Sequence, residues 1–244
     1  MRRIPAQQGF TLVELIIVIL IMGILAAVAV RQLQPSIDTA QTEQTTLEME
    51  QLARAIVGNP DVYADGSRSD FGYVGDVGAL PPDLDALAGN PGGLATWQGP
   101  YIEAGPSGSD FKRDAWQALY VFSDTLIRST GSGINIDKVF AASTSALLGN
   151  SVRGSIRNAD GTAPGSTYRD SLNVRLTYPD GSGSLTTSTT TPSANGGFAF
   201  TGIPIGNHVL EVVYLPDADS IRYQIRVLPG RTATISIVSP ADLW

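Results

Sequence analysis

Cysteine is absent from this 244-residue chain, and histidine occurs once. The first absence removes disulfides, thiolate metal sites and thiol nucleophiles together. The second leaves His208 as the sole imidazole, too little for a recognisable zinc site, and any Ser-His-Asp triad has to be built around it. No nucleophile-elbow sequence accompanies His208, which lies in a segment of strand character. Positive charge is scarce as well: 16 Lys and Arg stand against 23 Asp and Glu, a net charge of -7, with no basic cluster along the chain beyond Arg2-Arg3. A phosphate-tracking surface, and with it a nucleic-acid partner, is not expected. The Gly-rich stretches at Gly89 and Asp180 lack the strand-to-helix context of a phosphate cradle. The sequence therefore points away from an enzyme. Charged residues make up 16% and hydrophobic ones 43%, a folding composition with room for one large or two ordinary domains plus an anchor.

What the chain does have is one long apolar run. Residues 10–30 contain a single ionisable side chain, Glu14. Residues 12–30 as an α-helix measure about 28 Å, close to the roughly 30 Å hydrocarbon core of a bilayer. Arg2 and Arg3 precede the run, so its N-terminal end stays cytoplasmic and the bulk of the chain crosses the membrane. A carboxylate in such a stretch costs on the order of a few kcal/mol. A cleaved secretory signal, with an A-x-A site at Ala27-Val28-Ala29, or a plain signal anchor leaves that cost unexplained. Gly23-x-x-x-Ala27 is a small-x-x-x-small spacing that lets helix backbones approach.

Gly9-Phe10-Thr11-Leu12-Val13-Glu14, joined to "LIIVILIMGILAAVAV", resembles the class III signal of type IV prepilins and type II secretion pseudopilins. The resemblance implies cleavage by a prepilin peptidase between Gly9 and Phe10, with N-methylation of the new Phe10 amine. It also supplies a partner for Glu14. An ammonium at Phe10 lies four residues before it, on the same helix face, and in a filament Glu14 takes the amine of a neighbouring subunit. Loss of Arg2 and Arg3 leaves 14 basic residues against 23 acidic, or -9. Many type IV pilins carry a proline where this chain has Arg31; here Pro35 is expected to kink or interrupt the helix further along.

Beyond the membrane, residues 36–57 have helical composition, with Ile37, Ala40, Leu47 and Ile56 loosely on one side and Gly58-Asn59-Pro60 as a stop. Residues 61–89 read as loop apart from a short helix at 82–88. Trp97-x-Gly99-Pro100-Tyr101, Asp114-x-Trp116 and Tyr120 resemble the globular part of major pseudopilins, where such elements cross a small antiparallel sheet packed on the helix. Ala115 and Gln117 stand where that family has Pro and Gly. Its calcium loop would fall on Asp124 and Ser129, a poor donor set for a hard cation, so no cofactor or metal is assigned and calcium is weakly supported. The cluster Asp61, Asp65 and Asp70 reads as solvated loop.

From Ser151 the texture alternates, giving strands at 152–157, 172–178, 185–191, 198–201, 208–214, 221–227 and 232–238, with turns at Asp160-Gly161, Asp180-Gly181, Asn195-Gly196 and Pro229-Gly230. This predicts a Greek-key β-sandwich. "NGGFAFTGIPIGNHVLEVVY" is similar to carboxypeptidase regulatory-like domains, which are immunoglobulin-like or transthyretin-like.

The expected fold is α+β: a leader at 1–9, a long helix at 10–57, a pilin-like region at 58–148 and a sandwich at 151–238. The expected function is a structural subunit of a type IV pilus-like or type II secretion filament. The alternative is a minor or tip pilin whose sandwich binds a surface or cargo. Expected partners are the prepilin peptidase, other pilin subunits and the inner-membrane assembly platform. The location is the inner membrane, single pass with most of the chain periplasmic, and then the filament. Truncating the sandwich should leave filament incorporation possible, whereas Glu14→Ala should impair it while still allowing membrane insertion.

Overall fold

The computed structural model describes residues 10–105, 110–239 and 244. The chain divides into two compact units, Met1–Gln44 and Thr45–Trp244. Helix α1 (Leu12–Val57) accounts for the described part of the first unit beyond Phe10 and Thr11 and opens the second. It continues through Pro35 without the expected interruption. Proline removes one i→i−4 bond; nearby, Thr39 Oγ1 and Thr42 Oγ1 donate to the carbonyls of Pro35 and Asp38, at 2.9 and 2.8 Å.

The helix ends as its sequence dictates. Gly58 is left-handed at φ +82°, and its N–H donates to the Arg54 carbonyl at 2.7 Å. A Cβ there would lie 2.4 Å from the Asp70 carbonyl oxygen, so only glycine fits. Arg68 closes the end, donating through Nη2 to the carbonyls of Val57 and Gly58 while its guanidinium lies 4.8 Å from the Phe71 ring centroid. A cation there complements the negative end of the helix dipole.

Within the second unit, α1 buries Thr45, Met49, Leu52, Ala53 and Ile56, one stripe at helical spacing. Of the residues expected on one face, only Ile56 belongs to it. Ala40 is exposed, Ile37 is 49% exposed and Leu47 65%. The weak periodicity of this polar helix misassigned the face because Thr45, a polar residue, occupies a core position, where its hydroxyl accepts the Ala115 N–H at 3.2 Å.

A small hairpin, β1 (Tyr63–Ala64) and β2 (Ser67–Arg68), precedes α2 (Gly72–Val77) and α3 (Asp85–Ala88). Helix α2 corrects the loop expected there. The antiparallel sheet of this region is β3 (Val121–Ser123), β4 (Leu126–Ser129) and β5 (Ile136–Val139), lying after the Trp97, Tyr101, Trp116 and Tyr120 elements that were expected to cross it. Tyr120 is buried, and Trp97 and Tyr101 pack edge-on with centroids 5.5 Å apart, so these aromatics serve the core. Helix α4 (Thr144–Leu148) follows, with Ser143 capping its first turn.

The seven later strands stand where alternation predicts them: β6 (Asn150–Arg157), then after a short α5 (Gly165–Tyr168) β7 (Leu172–Pro179), β8 (Leu185–Thr190), β9 (Gly197–Ile203), β10 (Gly206–Tyr214), β11 (Asp219–Val227) and β12 (Thr232–Val238). They form a four-stranded sheet, β11-β10-β7-β8, and a three-stranded one, β12-β6-β9. Both contribute to one apolar cluster, including Val152 and Phe200 from one sheet and Val174, Leu210 and Val227 from the other. The fold is therefore α+β, a long helix followed by a sheet-rich region. One pairing is parallel, β12 with β6.

Another cluster, the first core in chain order, gathers α1, α2, α3, Ile127 and Leu147, and it is joined by Ile205 from the β9–β10 turn. The Ile205 N–H donates to the Leu147 carbonyl at 2.8 Å. Gly78 approaches so closely that a Cβ would lie 2.3 Å from the Pro179 carbonyl oxygen, and the Gly181 N–H donates to the Val77 carbonyl at 2.9 Å. The β-rich part is thus fastened to the first core at several points.

The N-terminal helix as a candidate assembly site

Phe10 lies just ahead of α1 and is 74% exposed. Thr11 is the helix cap: its Oγ1 accepts the Glu14 N–H at 3.3 Å, and its carbonyl accepts the Leu15 N–H at 3.2 Å. Thr11-x-x-Glu14 is the spacing of a capping box, in which a hydroxyl and a carboxylate three residues apart serve the orphan amides of a helix start. This role for Thr11 was legible in the sequence from that spacing but was not drawn from it. Glu14 stands in the first turn and is exposed. Gly9, Arg2 and Arg3 lie outside the described residues.

Leu12, Val13 and the large apolar side chains from Leu15 to Val28 are exposed. Nothing lies within 4 Å of the position a Cβ would take at Gly23. The helix is long and apolar enough to cross a membrane by length and composition. An apolar surface of this extent is stable only against lipid or against other apolar helices.

The remaining candidates have structural roles. Asp124 lies in the turn between β3 and β4, whereas Ser129 ends β4 and donates its hydroxyl to Asp114 Oδ2 at 2.6 Å. The structure does not bring Asp124 and Ser129 together, and the pair does not fit a calcium ion. Ser129 serves Asp114, a buried carboxylate that also accepts the N–H groups of Trp116, Ala118 and Gly131 at 3.0, 2.9 and 3.1 Å. A Cβ at Gly131 would lie 2.5 Å from that carboxylate. Gln117 adopts φ +67° in the same turn, a conformation that suits the glycine of the resembling family. Asp70 accepts the N–H groups of Asn59 and Gly72 at 2.8 and 3.0 Å, while Asp61 and Asp65 face Arg54 and Arg226 at 4.0 and 3.9 Å. These three carboxylates form no common site. Among the described residues no group of three His, Cys, Asp or Glu side chains is placed to hold a metal ion.

His208 is buried inside the larger sheet, with Nε2 at 2.8 Å from the Pro204 carbonyl and Nδ1 unpartnered. The Pro204 contact makes Nε2 the protonated nitrogen. Burial pushes its pKa below the ordinary histidine range, partly offset by that carbonyl. The facing ring is Tyr178, edge-on at 6.1 Å, whose hydroxyl bonds Ser188 Oγ at 2.9 Å. The Pro204 contact of His208 lets its ring hold the turn between β9 and β10.

Residues 4–30 match the family described as the prokaryotic N-terminal methylation motif. The chain is similar to the type IV major fimbrial protein FimA of Dichelobacter nodosus. One such relative is 39% identical over 83 residues, 34% of this chain and 51% of the relative; another is 48% identical over 50 residues, 20% and 32%. The chain spans about half the length, or less, of these curated relatives. Among solved structures, the dioxygenase domain of a dioxygenase carbohydrate-binding protein fusion from Streptomyces sp. SirexAA-E is 12% identical, with 39% of this chain and 81% of that one covered and a TM-score of 0.29. A candidate carbohydrate binding protein from Pseudomonas aeruginosa is 14% identical, with 38% and 90% covered and a TM-score of 0.24. Likenesses this slight carry no argument about fold or ligand. Residues 4–30 thus carry a methylation motif that runs into an apolar helix of membrane-spanning length, in a chain similar over part of its length to type IV major fimbrial proteins.

Proposed function

We propose that the chain is a structural subunit of a type IV pilus-like or type II secretion filament. A prepilin peptidase cleaves it between Gly9 and Phe10 and methylates the Phe10 amine. The subunit waits in the inner membrane, N-terminus cytoplasmic and bulk periplasmic, until the assembly platform extracts it. The observation that carries this reading is the methylation motif over residues 4–30 joined to an apolar helix whose side chains find no partner within the described chain. Similarity to major fimbrial proteins over part of the chain supports a structural filament subunit. Neighbouring helices offer an environment as apolar as lipid, so transfer from bilayer to filament is close to neutral in hydrophobic terms.

Glu14 acts in this scheme as a register pin. It neutralises the Phe10 amine of its own or an adjacent subunit, since a buried carboxylate is tolerated when paired and penalised when alone. We further propose that residues 58–148 are a pilin-like module and 151–238 a carboxypeptidase regulatory-like sandwich of immunoglobulin or transthyretin type. Seven strands in two sheets around one core support that reading. The test is filament incorporation of Glu14→Ala, read as the share of subunits in sheared filaments against the share in the inner membrane. Membrane insertion is expected to persist while incorporation falls. Equal incorporation of variant and parent would overturn the role given to Glu14.

A further inference from the structure

The outward face of the three-stranded sheet differs from the rest of the acidic chain. Register places Ser151, Arg153, Ser155 and Arg157 of β6 on it, beside Thr232, Thr234, Ser236 and, at the far end, Val238 of β12, and Ala199 and Thr201 of β9. Their inward neighbours Val152, Ile156 and Ile237 are core. Arg231 precedes β12 at the same end as Ser151. Arg153, Arg157 and Arg231 are exposed, and among the described residues none forms an ion pair; Arg157 Nη1 donates to the Gly161 carbonyl at 3.0 Å. Among the described residues the face holds no carboxylate, the nearest along β6 being Asp160 in the turn that follows. At the Arg231 end it runs into a pocket of about 320 Å³ lined by Ser143, Ser145, Asn150, Ser151, Arg231 and Thr232. At strand rise, the three guanidinium positions extend over about 20 Å.

We propose that this face and pocket bind an acidic polysaccharide. Guanidinium groups without a carboxylate of their own are matched by carboxylate groups on a ligand. The rows of Ser and Thr hydroxyls between them, which both donate and accept, are matched by the ligand's own hydroxyls. A protein partner fits less well, because the face has no aromatic or bulky apolar anchor at its centre to be desolvated. Single-stranded nucleic acid fits less well for want of a ring on which bases stack. The proposal goes beyond the filament reading and does not depend on it, since binding is measured on the isolated full chain.

The test is retention of the full-length protein, in detergent, on immobilised polygalacturonate, with dextran and duplex DNA as comparisons. Retention on polygalacturonate is expected to exceed that on both and to weaken as salt is raised, because exposed charge contacts are screened over a Debye length of about 10 Å at 0.1 M. The triple variant R153E/R157E/R231E is expected to lose about tenfold or more in affinity, while R175E/R222E/R226E on the opposite sheet, matched in charge change, loses far less. Thermal unfolding of both triple variants checks that the outward substitutions leave the core folded. Absence of retention, equal retention on dextran, stronger retention on DNA or equal loss in the two triple variants would each overturn the proposal.

Discussion

The backbone N–H of Glu14 donates to Oγ1 of Thr11 at 3.3 Å, so the membrane-length helix starts at Leu12, capped by the residue that follows Phe10. The same short segment holds the motif's proposed cleavage position and the first turn of the helix. Thr11→Ala removes the cap, a loss of about 1 kcal/mol, and is expected to speed amide exchange at Glu14 by about fivefold. Thr11→Ser should restore the parent rate. Unchanged exchange in Thr11→Ala would contradict the cap.

Asp114 is predicted to be the costliest carboxylate to remove. Asp114→Ala leaves the Ser129 hydroxyl and three backbone N–H groups without their acceptor. A loss of about 3 kcal/mol or more is expected in chemical denaturation. Asp124→Asn, in an exposed turn whose left-handed backbone (φ +47°) asparagine also tolerates, is expected to stay within about 0.5 kcal/mol. Addition of calcium should move neither transition.

Ile205 ties the β-rich part to the first core. Ile205→Ala is expected to cost about 2–5 kcal/mol, read from the unfolding transition reported by Trp97 and Trp116 fluorescence. A chain cut before Ser151 loses this side chain altogether, and with it the hydrogen bond to Leu147. Truncation is therefore expected to destabilise the first core, against the expectation from sequence that the sandwich is dispensable. A change below about 0.5 kcal/mol on Ile205→Ala would contradict the tie.

His208 gives stability a dependence on pH. Burial depresses its pKa in the folded chain, so the unfolded chain takes up a proton first as pH falls below about 6.5. Its contribution is whole above that value and declines below it, by up to about 1.4 kcal/mol per pH unit until the folded pKa is reached. Burial raises the pKa of Asp76, whose contribution runs the other way, so the parent is compared with His208→Gln. The variant should lose the slope between pH 7 and pH 5. A slope shared by both would assign it elsewhere.

The α+β architecture was legible because its periodicities are strict. The apolar run, the Gly58 stop and seven alternating strands each carry a local signal. Helix α2 does not: Gly72 and Gly75 are poor helix formers, kept by packing, with a Cβ at Gly75 lying 2.3 Å from Cβ of Phe71. The parallel pairing of β12 with β6 joins strands distant in the chain and leaves no local pattern. Asp114 drew notice as part of a resemblance, but its partners come from residues 116–131 and only the fold shows them. The basic sheet face is partly the same case: Arg153 and Arg157 share a side of β6 by alternation, but only the parallel register of β12 brings Arg231 to the Ser151 end of that face. At Gln117 the backbone is left-handed, φ +67°, which a glutamine in the sequence does not signal.

The most direct test of the filament account is the intact mass and N-terminal sequence of the protein recovered from cells with and without the prepilin peptidase. The account predicts a chain beginning at N-methylated Phe10 when the peptidase is present and the uncleaved chain when it is absent. A chain beginning near Val30, or the same N-terminus in both strains, would contradict it.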